Sequence, residues 1–232
     1  MDFILVPDCQ VGRQVSTASD RISTKAAGLI EPFTVAIHAA RRAKPGQGET
    51  AFVFGAGTIG TAAAIALKYL GCSQVMLVDL SDFRLRKASE LGFDTCNSGT
   101  EDLAAKAAEV FGPARTISGP TADIDIFIEA TGVDALVDTY LSMGKLFSRM
   151  VVVGVHQDPH PIDLAKLAYS QHSAIGSGGH QPEDVVTVME IMESGRFDIE
   201  SIITHEFPLD EIVKAIETAG DVHTALNVVV KY

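Results

Sequence analysis

The stretch Ala51-Phe52-Val53-Phe54-Gly55-Ala56-Gly57-Thr58-Ile59-Gly60 runs from four apolar residues into glycines spaced G-x-G-x-x-G, and an alanine-rich segment to Leu70 follows. An unbroken apolar run suits a strand covered on both faces, and the alanines suit a helix lying close against it. Glycines in this spacing are a weak signal by themselves. Here the strand before, the helix after, and Asp79 nineteen positions beyond Gly60 strengthen it. In such a unit Gly55 permits the tight turn, Gly57 lets the backbone approach a pyrophosphate, and Gly60 lets the helix pack on the strand. Thr58 and Ile59 belong to the same phosphate-binding turn, and the N-terminus of the helix that follows offers free N–H groups and a positive dipole end to phosphate.

Outward from this turn the same alternation of short apolar runs and longer amphipathic stretches repeats. Strands are predicted near Ala51–Phe54, Gln74–Val78, Phe93–Cys96, Ile124–Ile128, Met150–Val155 and Ser173–Gly176. Helices are predicted over Gly60–Leu70, Asp82–Leu91, Glu101–Phe111, Asp134–Met143 and Leu164–Ala168. Six strands in βαβ succession predict an α/β protein of Rossmann type, a doubly wound parallel sheet in the order 3-2-1-4-5-6. Residues 43–180 would form this nucleotide-binding core. Residues 1–42 form a flanking segment, with an extended piece at Phe3–Pro7, a polar stretch at Gln14–Lys25 and a helix at Val35–Arg42. Residues 181–232 begin with a helix that starts at Gln181-Pro182-Glu183-Asp184 and runs to Glu193. A strand (Ser201–Phe207), a helix opening at Pro208, a turn at Gly220-Asp221 and a last strand (Ala225–Val230) follow, outside the nucleotide sheet.

Asp79 closes the second strand in Val78-Asp79-Leu80-Ser81, where a carboxylate can accept the ribose hydroxyls of adenosine. A 2′-phosphate would meet like charge there, so NAD is expected over NADP. Arg84 complicates this: it is either a surface helix charge or a group that covers the adenine or tolerates a phosphate. Two further strand ends, Glu129-Ala130-Thr131-Gly132 and Val153-Gly154-Val155, either face the same crevice or merely terminate strands.

Composition bounds the partners. A net charge of −12, with eighteen Lys and Arg spread along 232 residues, disfavours nucleic acid and anionic membrane surfaces, which require a basic face. The apolar run Ala51–Leu67 is shorter than the ~20 residues of a spanning helix, and Met1-Asp2-Phe3 does not open a signal segment, so a cytoplasmic protein is expected. The three cysteines, Cys9, Cys72 and Cys96, are odd in number and lack a Cys-x-x-Cys pair, which predicts reduced, mostly structural thiols. His156, His160, His172 and His180 match no compact ligand spacing and are expected as solvated loop side chains, and His38 as a satisfied, partly buried one.

Several segments together resemble the zinc-dependent medium-chain alcohol and polyol dehydrogenases, the sorbitol dehydrogenase branch most closely. They are Leu29-Ile30-Glu31-Pro32-Phe33-Thr34-Val35-Ala36-Ile37-His38-Ala39, the glycine turn, Val78–Leu85, Glu129–Gly132 and Ile203-Thr204-His205-Glu206-Phe207-Pro208-Leu209. The resemblance covers roughly the whole chain. It implies an oxidoreductase that moves hydride between an alcohol or polyol and NAD, and association into a homo-oligomer through the sheet edge near Gln157–Leu164 and Ser173–Gly176. It also implies a catalytic zinc, held in the family mostly by an N-terminal domain whose Gly-His-Glu motif does not occur here. Glu31 resembles a zinc-ligand or water-linked carboxylate position of that family, but one carboxylate cannot make a catalytic zinc site, and a residue near a helix start is the preferred reading. The chain alone is therefore expected to bind NAD and to be inactive. The alternative is a catalytically silent NAD-binding or assembly module. A Rossmann-like methyltransferase is disfavoured by the complete turn with Asp79.

Overall fold

In the computed structural model, which describes residues 6–12 and 15–231, the parallel sheet carries the alternation that its sequence demands. Its first strand, β1 (Thr50–Phe54), points Ala51 and Val53 into one apolar layer and Phe52 and Phe54 into the other. β2 (Gln74–Asp79) divides the same way, with Val75 and Leu77 opposite Met76 and Val78. Side chains alternate faces along a strand, so a run that is apolar throughout is stable only when both faces are covered.

The helices do the covering. α1 (Thr24–Ala27), α2 (Ile30–Arg42), α3 (Thr58–Tyr69) and α4 (Asp82–Glu90) precede β3 (Asp94–Asn97) and α5 (Leu103–Phe111). A short antiparallel hairpin, β4 (Pro113–Arg115) with β5 (Pro120–Ala122), leads into β6 (Ile126–Glu129). Then come α6 (Ala135–Met143), β7 (Arg149–Val152), α7 (Leu164–Tyr169), β8 (Ser173–Gly176) and α8 (Pro182–Glu193). The tail is β9 (Ile203–Pro208), α9 (Ile212–Ala219) and β10 (Asn227–Lys231). The six-stranded sheet has the order β3-β2-β1-β6-β7-β8 with every pairing parallel, the predicted topology once the hairpin is set aside.

α3 is buried from Gly60 to Leu67 because α2 lies over it while the sheet lies under it. The small alanine side chains let the three layers approach. On the opposite face Phe52, Phe54 and Phe127 meet Tyr140 of α6 and Phe111 of α5. Tyr140 donates its buried hydroxyl to the Ser148 and Ser173 carbonyls, at 2.9 and 3.1 Å.

Several elements differ from expectation. α2 begins at Ile30 rather than Val35 because Pro32 stands in its first turn, where the missing N–H costs nothing. The fourth sheet strand starts at Ile126 rather than Ile124, and the hairpin before it was not predicted, its three-residue proline-bearing strands carrying no clear period. The strand predicted over Met150–Val155 ends at Val152. Beyond it the Val153 N–H still reaches the Glu129 carbonyl of the neighbouring strand at 2.9 Å, but the Gly154 N–H turns to the same oxygen at 3.0 Å and ends the pairing. The polar stretch Gln14–Lys25 runs into the first residues of α1, Gln14 itself lying outside the described residues. Of the extended piece Phe3–Pro7, Phe3, Ile4 and Leu5 also lie outside them.

The tail forms its own two-stranded parallel sheet, β9 beside β10, joined through α9. It folds back over the nucleotide sheet: Thr58 Oγ1 donates to the Leu226 carbonyl at 3.0 Å and Ser81 Oγ to that of Val222 at 2.6 Å. Cys72 and Cys96 are buried and Cys9 is exposed. Burial pushes the Cys72 thiol up to about 11, which keeps it protonated and inert. Among the described residues no helix is long and apolar enough to cross a membrane.

Candidate functional site

The carboxyl ends of β1, β2 and β6 frame a cleft of about 450 Å³ whose lining includes Gly55, Gly57, Asp79, Arg84 and Thr131. It opens where the strand order reverses, between β1 and β6, which is where parallel α/β sheets present a crevice.

Two glycines here have no substitute. Gly55 turns the chain at φ +98°, and a Cβ on Gly60 would lie 1.8 Å from the Gly55 carbonyl oxygen. The first turn of α3 is therefore pressed onto the turn that precedes it. No side chain caps α3 at Gly57, so the N–H groups of Thr58, Ile59 and Gly60 open its N-terminus as donors. A Cβ on Gly57 would find its nearest neighbour, Arg84 Nη1, 3.7 Å away, which leaves an approach to the backbone on that side.

Asp79 braces the turn from the next strand. Its Oδ2 accepts the Ala56 N–H at 2.7 Å, and Oδ1 accepts those of Leu80 and Ser81 at 2.8 and 2.9 Å. A carboxylate offers about four lone-pair sites, so one remains on Oδ2 at the cleft edge for a further donor. Arg84 is not a free surface charge of α4: it is half-buried, its Nε donates to the Ala225 carbonyl at 3.3 Å, and it stands beside Gly57. Val222 and His223 of the tail close the same cleft. The sequence reading missed them because nothing local ties residues 222–226 to a turn that lies some 170 positions away.

The loops after β6 and β7 form a second, adjoining cluster. Glu129, the last residue of β6, is fully buried. Its Oε1 accepts from Thr131 N–H (2.7 Å), Thr131 Oγ1 (2.5 Å) and Gly132 N–H (2.9 Å), and Oε2 faces His156 Nε2 at 3.0 Å. His156 Nδ1 lies 2.6 Å from Asp134 Oδ1. That hydrogen bond with Asp134 raises the imidazole above its ordinary value against the effect of burial, and Glu129 adds to it. A Cβ on Gly154 would lie 2.3 Å from the Gly132 nitrogen and 2.4 Å from Glu129 Oε2, so the two loops touch. Val153 is half-buried and Val155 is exposed.

His180 is an exposed loop side chain as expected, but other histidines correct that expectation. His156 is held between two carboxylates, and His172 is buried with Nε2 3.1 Å from the carbonyl oxygens of Gly144 and Lys145. His160 pairs with Asp138 at 3.2 Å. His38 is satisfied by the buried Asp184 at 2.8 Å, beside Arg41. The apolar run Ile126-Phe127-Ile128 ending in an acid was the available signal for Glu129, since a charge is buried at a strand end only when donors converge on it.

Glu31 is exposed in the first turn of α2 and outside the cleft lining. Among the described residues no three or more His, Cys, Asp or Glu side chains gather in a group able to hold a metal ion. The donor set does not fit a zinc site, and no step through zinc follows from it.

Residues 58–194 match the family model described as zinc-binding dehydrogenase. Sorbitol dehydrogenase of Rattus norvegicus is 31% identical over 204 residues, 86% of this chain and 54% of that protein. (R,R)-butanediol dehydrogenase of Bacillus subtilis (strain 168) is 30% identical over 199 residues, 84% of this chain and 54% of its own length. The crystal structure of 2R,3R-butanediol dehydrogenase from Bacillus subtilis superposes with a TM-score of 0.81 at 25% identity, covering 93% of this chain and 60% of that one. The chain spans about half the length of the curated relatives it matches.

Proposed function

Because the chain belongs to the zinc-binding dehydrogenase family, we propose that it binds NAD in the cleft between the glycine turn and Asp79, as the cofactor-binding part of an oxidoreductase acting on an alcohol or polyol. The observation that carries this reading is the uncapped N-terminus of α3, opening directly from Gly57 beside the Asp79 carboxylate. Its converging N–H groups suit a pyrophosphate, and the spare acceptor of Asp79 suits a ribose hydroxyl. When bound, the dinucleotide would accept or return hydride at its nicotinamide ring. The residues of this chain hold and orient it: Thr58, Ile59 and Gly60 through backbone donors, Arg84 beside the turn, and Thr131, Gly132, Val153, Gly154 and Val155 through the loops that continue the carboxyl edge of the sheet.

The Asp79 carboxylate favours NAD over NADP, since a 2′-phosphate there would meet its charge. We expect tighter binding of NADH than of NADPH in a fluorescence titration. Asp79→Ser should weaken NADH by about tenfold to a hundredfold, the worth of a hydrogen bond to a charged group, and narrow the ratio between the cofactors. A wild-type chain that prefers NADPH, or a ratio unchanged by the substitution, would sink the assignment.

The lack of a metal-holding group among the described residues favours a second reading, a module that binds NAD without turning over substrate. Assays with zinc, NAD and a panel of alcohols and polyols separate the two: NAD reduction supports the enzyme, binding without reduction supports the module. The exposed β8 edge, Ser173, Ala174 and Gly176, suits pairing with a second copy of the chain. Sedimentation should then show a dimer or larger species, and a monomer at micromolar concentration would count against it. The protected thiols of Cys72 and Cys96 suit the reducing cytoplasm.

A further inference from the structure

The loops after β6 and β7 are joined by one side chain. His156, on the β7 loop, faces Glu129 from the end of β6 at 3.0 Å and Asp134 from the start of α6 at 2.6 Å. These are the charged groups that meet the ring. One turn further along α6, Asp138 is taken up by His160. Both ring nitrogens meet carboxylate oxygens, which only accept, so both contacts are hydrogen bonds only when the ring carries two protons. A neutral ring donates through one nitrogen and leaves one carboxylate facing a lone pair.

Glu129 is the more sensitive of the two because it is fully buried. It also holds the Thr131 amide and hydroxyl, and Thr131 packs on the glycine turn: its Cγ2 lies 2.8 Å from where a Cβ on Gly55 would be. A continuous set of contacts thus runs from the ring of His156 through Glu129 and Thr131 to Gly55. Gly132 and Gly154 press the two loops together at the same place.

We infer that His156 is a positioning residue for the bound dinucleotide, its imidazolium latching the β6 loop to the β7 loop and so fixing Thr131 against the glycine turn. The inference rests on the dinucleotide reading of the cleft. Because the folded protein holds the proton more tightly than a free imidazole does, the latch is complete below the ordinary imidazole value. It opens as pH rises through the higher value of the folded state.

The test is a titration of the full chain with NADH, followed by fluorescence between about pH 6 and about pH 9, for wild type, His156→Gln and Asp134→Asn. Wild-type affinity is expected to be level at the acid end and to fall about tenfold on the alkaline side, the effect of losing one charge-assisted hydrogen bond. His156→Gln should bind about tenfold more weakly at pH 6 with no such fall, and Asp134→Asn should move the fall to lower pH. The proton NMR signal of the His156 ring, assigned in the wild-type chain by through-bond correlation to the His156 backbone, needs no variant to fold. It should titrate above the ordinary imidazole value with the same midpoint as the affinity. Binding that is level with pH, or a His156→Gln profile that keeps the wild-type fall, overturns the latch and leaves the dinucleotide reading standing. Absence of NADH binding at every pH overturns the dinucleotide reading and the latch with it.

Discussion

Gly60→Ala is expected to remove measurable NADH affinity and to destabilise the chain by about 3 kcal/mol or more. The added Cβ would lie 1.8 Å from the Gly55 carbonyl oxygen and 2.9 Å from its carbon, and both belong to backbone that cannot rotate away. Overpacking a close-packed interior costs about 1–3 kcal/mol when side chains can yield, and more when only backbone is in the way. Relief requires α3 to lift from β1, yet α3 is buried along its length between the sheet and α2. The same displacement carries the N–H groups of Thr58 and Ile59 off the pyrophosphate position. Urea unfolding and an NADH titration read the two effects. Gly57→Ala supplies the contrast: its Cβ would have 3.7 Å to the nearest atom, so it should fold as wild type does and lose affinity alone. Equal stability of Gly60→Ala and wild type would show that α3 is not seated as described.

Glu129→Leu should cost roughly 3 kcal/mol, chiefly through the donors it abandons. The Thr131 and Gly132 N–H groups and His156 all meet this one buried carboxylate, and each buried unsatisfied donor costs about 1–3 kcal/mol. The full sum is not expected because Thr131 and Gly132 head a loop that can turn partly toward solvent. Glu129→Gln keeps an acceptor for the two amides while presenting N–H to His156, and should lose about 1–2 kcal/mol. Chemical unfolding at neutral pH checks both. A Glu129→Leu chain as stable as wild type would mean that the loop donors find water instead.

The strands were legible because burial on both faces of a parallel sheet leaves a local record. Phe52 and Phe54 on one side and Ala51 and Val53 on the other are neighbours in the chain as well as in the core. The glycine turn was legible for a related reason: its constraints act between residues 55 and 60, within one turn of backbone. The resemblance to medium-chain dehydrogenases rested on motifs of this short-range kind, and the family match over residues 58–194 agrees with it. Strand ends were less legible. Val153-Gly154-Val155 continues the apolar run of β7, but the Gly154 N–H turns onto the Glu129 carbonyl that Val153 already meets and the ladder stops there, a crossing the local pattern does not encode.

What the amino-acid sequence determined by itself is the parallel sheet, its order and the phosphate-type turn, since hydrophobic period and backbone sterics act over a few residues. What only the tertiary structure decided is who stands around that turn. Arg84 meets the Ala225 carbonyl 141 positions away, Thr58 meets that of Leu226 168 positions away, and His156 meets a carboxylate 27 positions back. Such polar contacts have no period and depend on where whole elements come to rest. A histidine that reads as a loop side chain in sequence is therefore placed between two carboxylates by the packing of β6, α6 and β7.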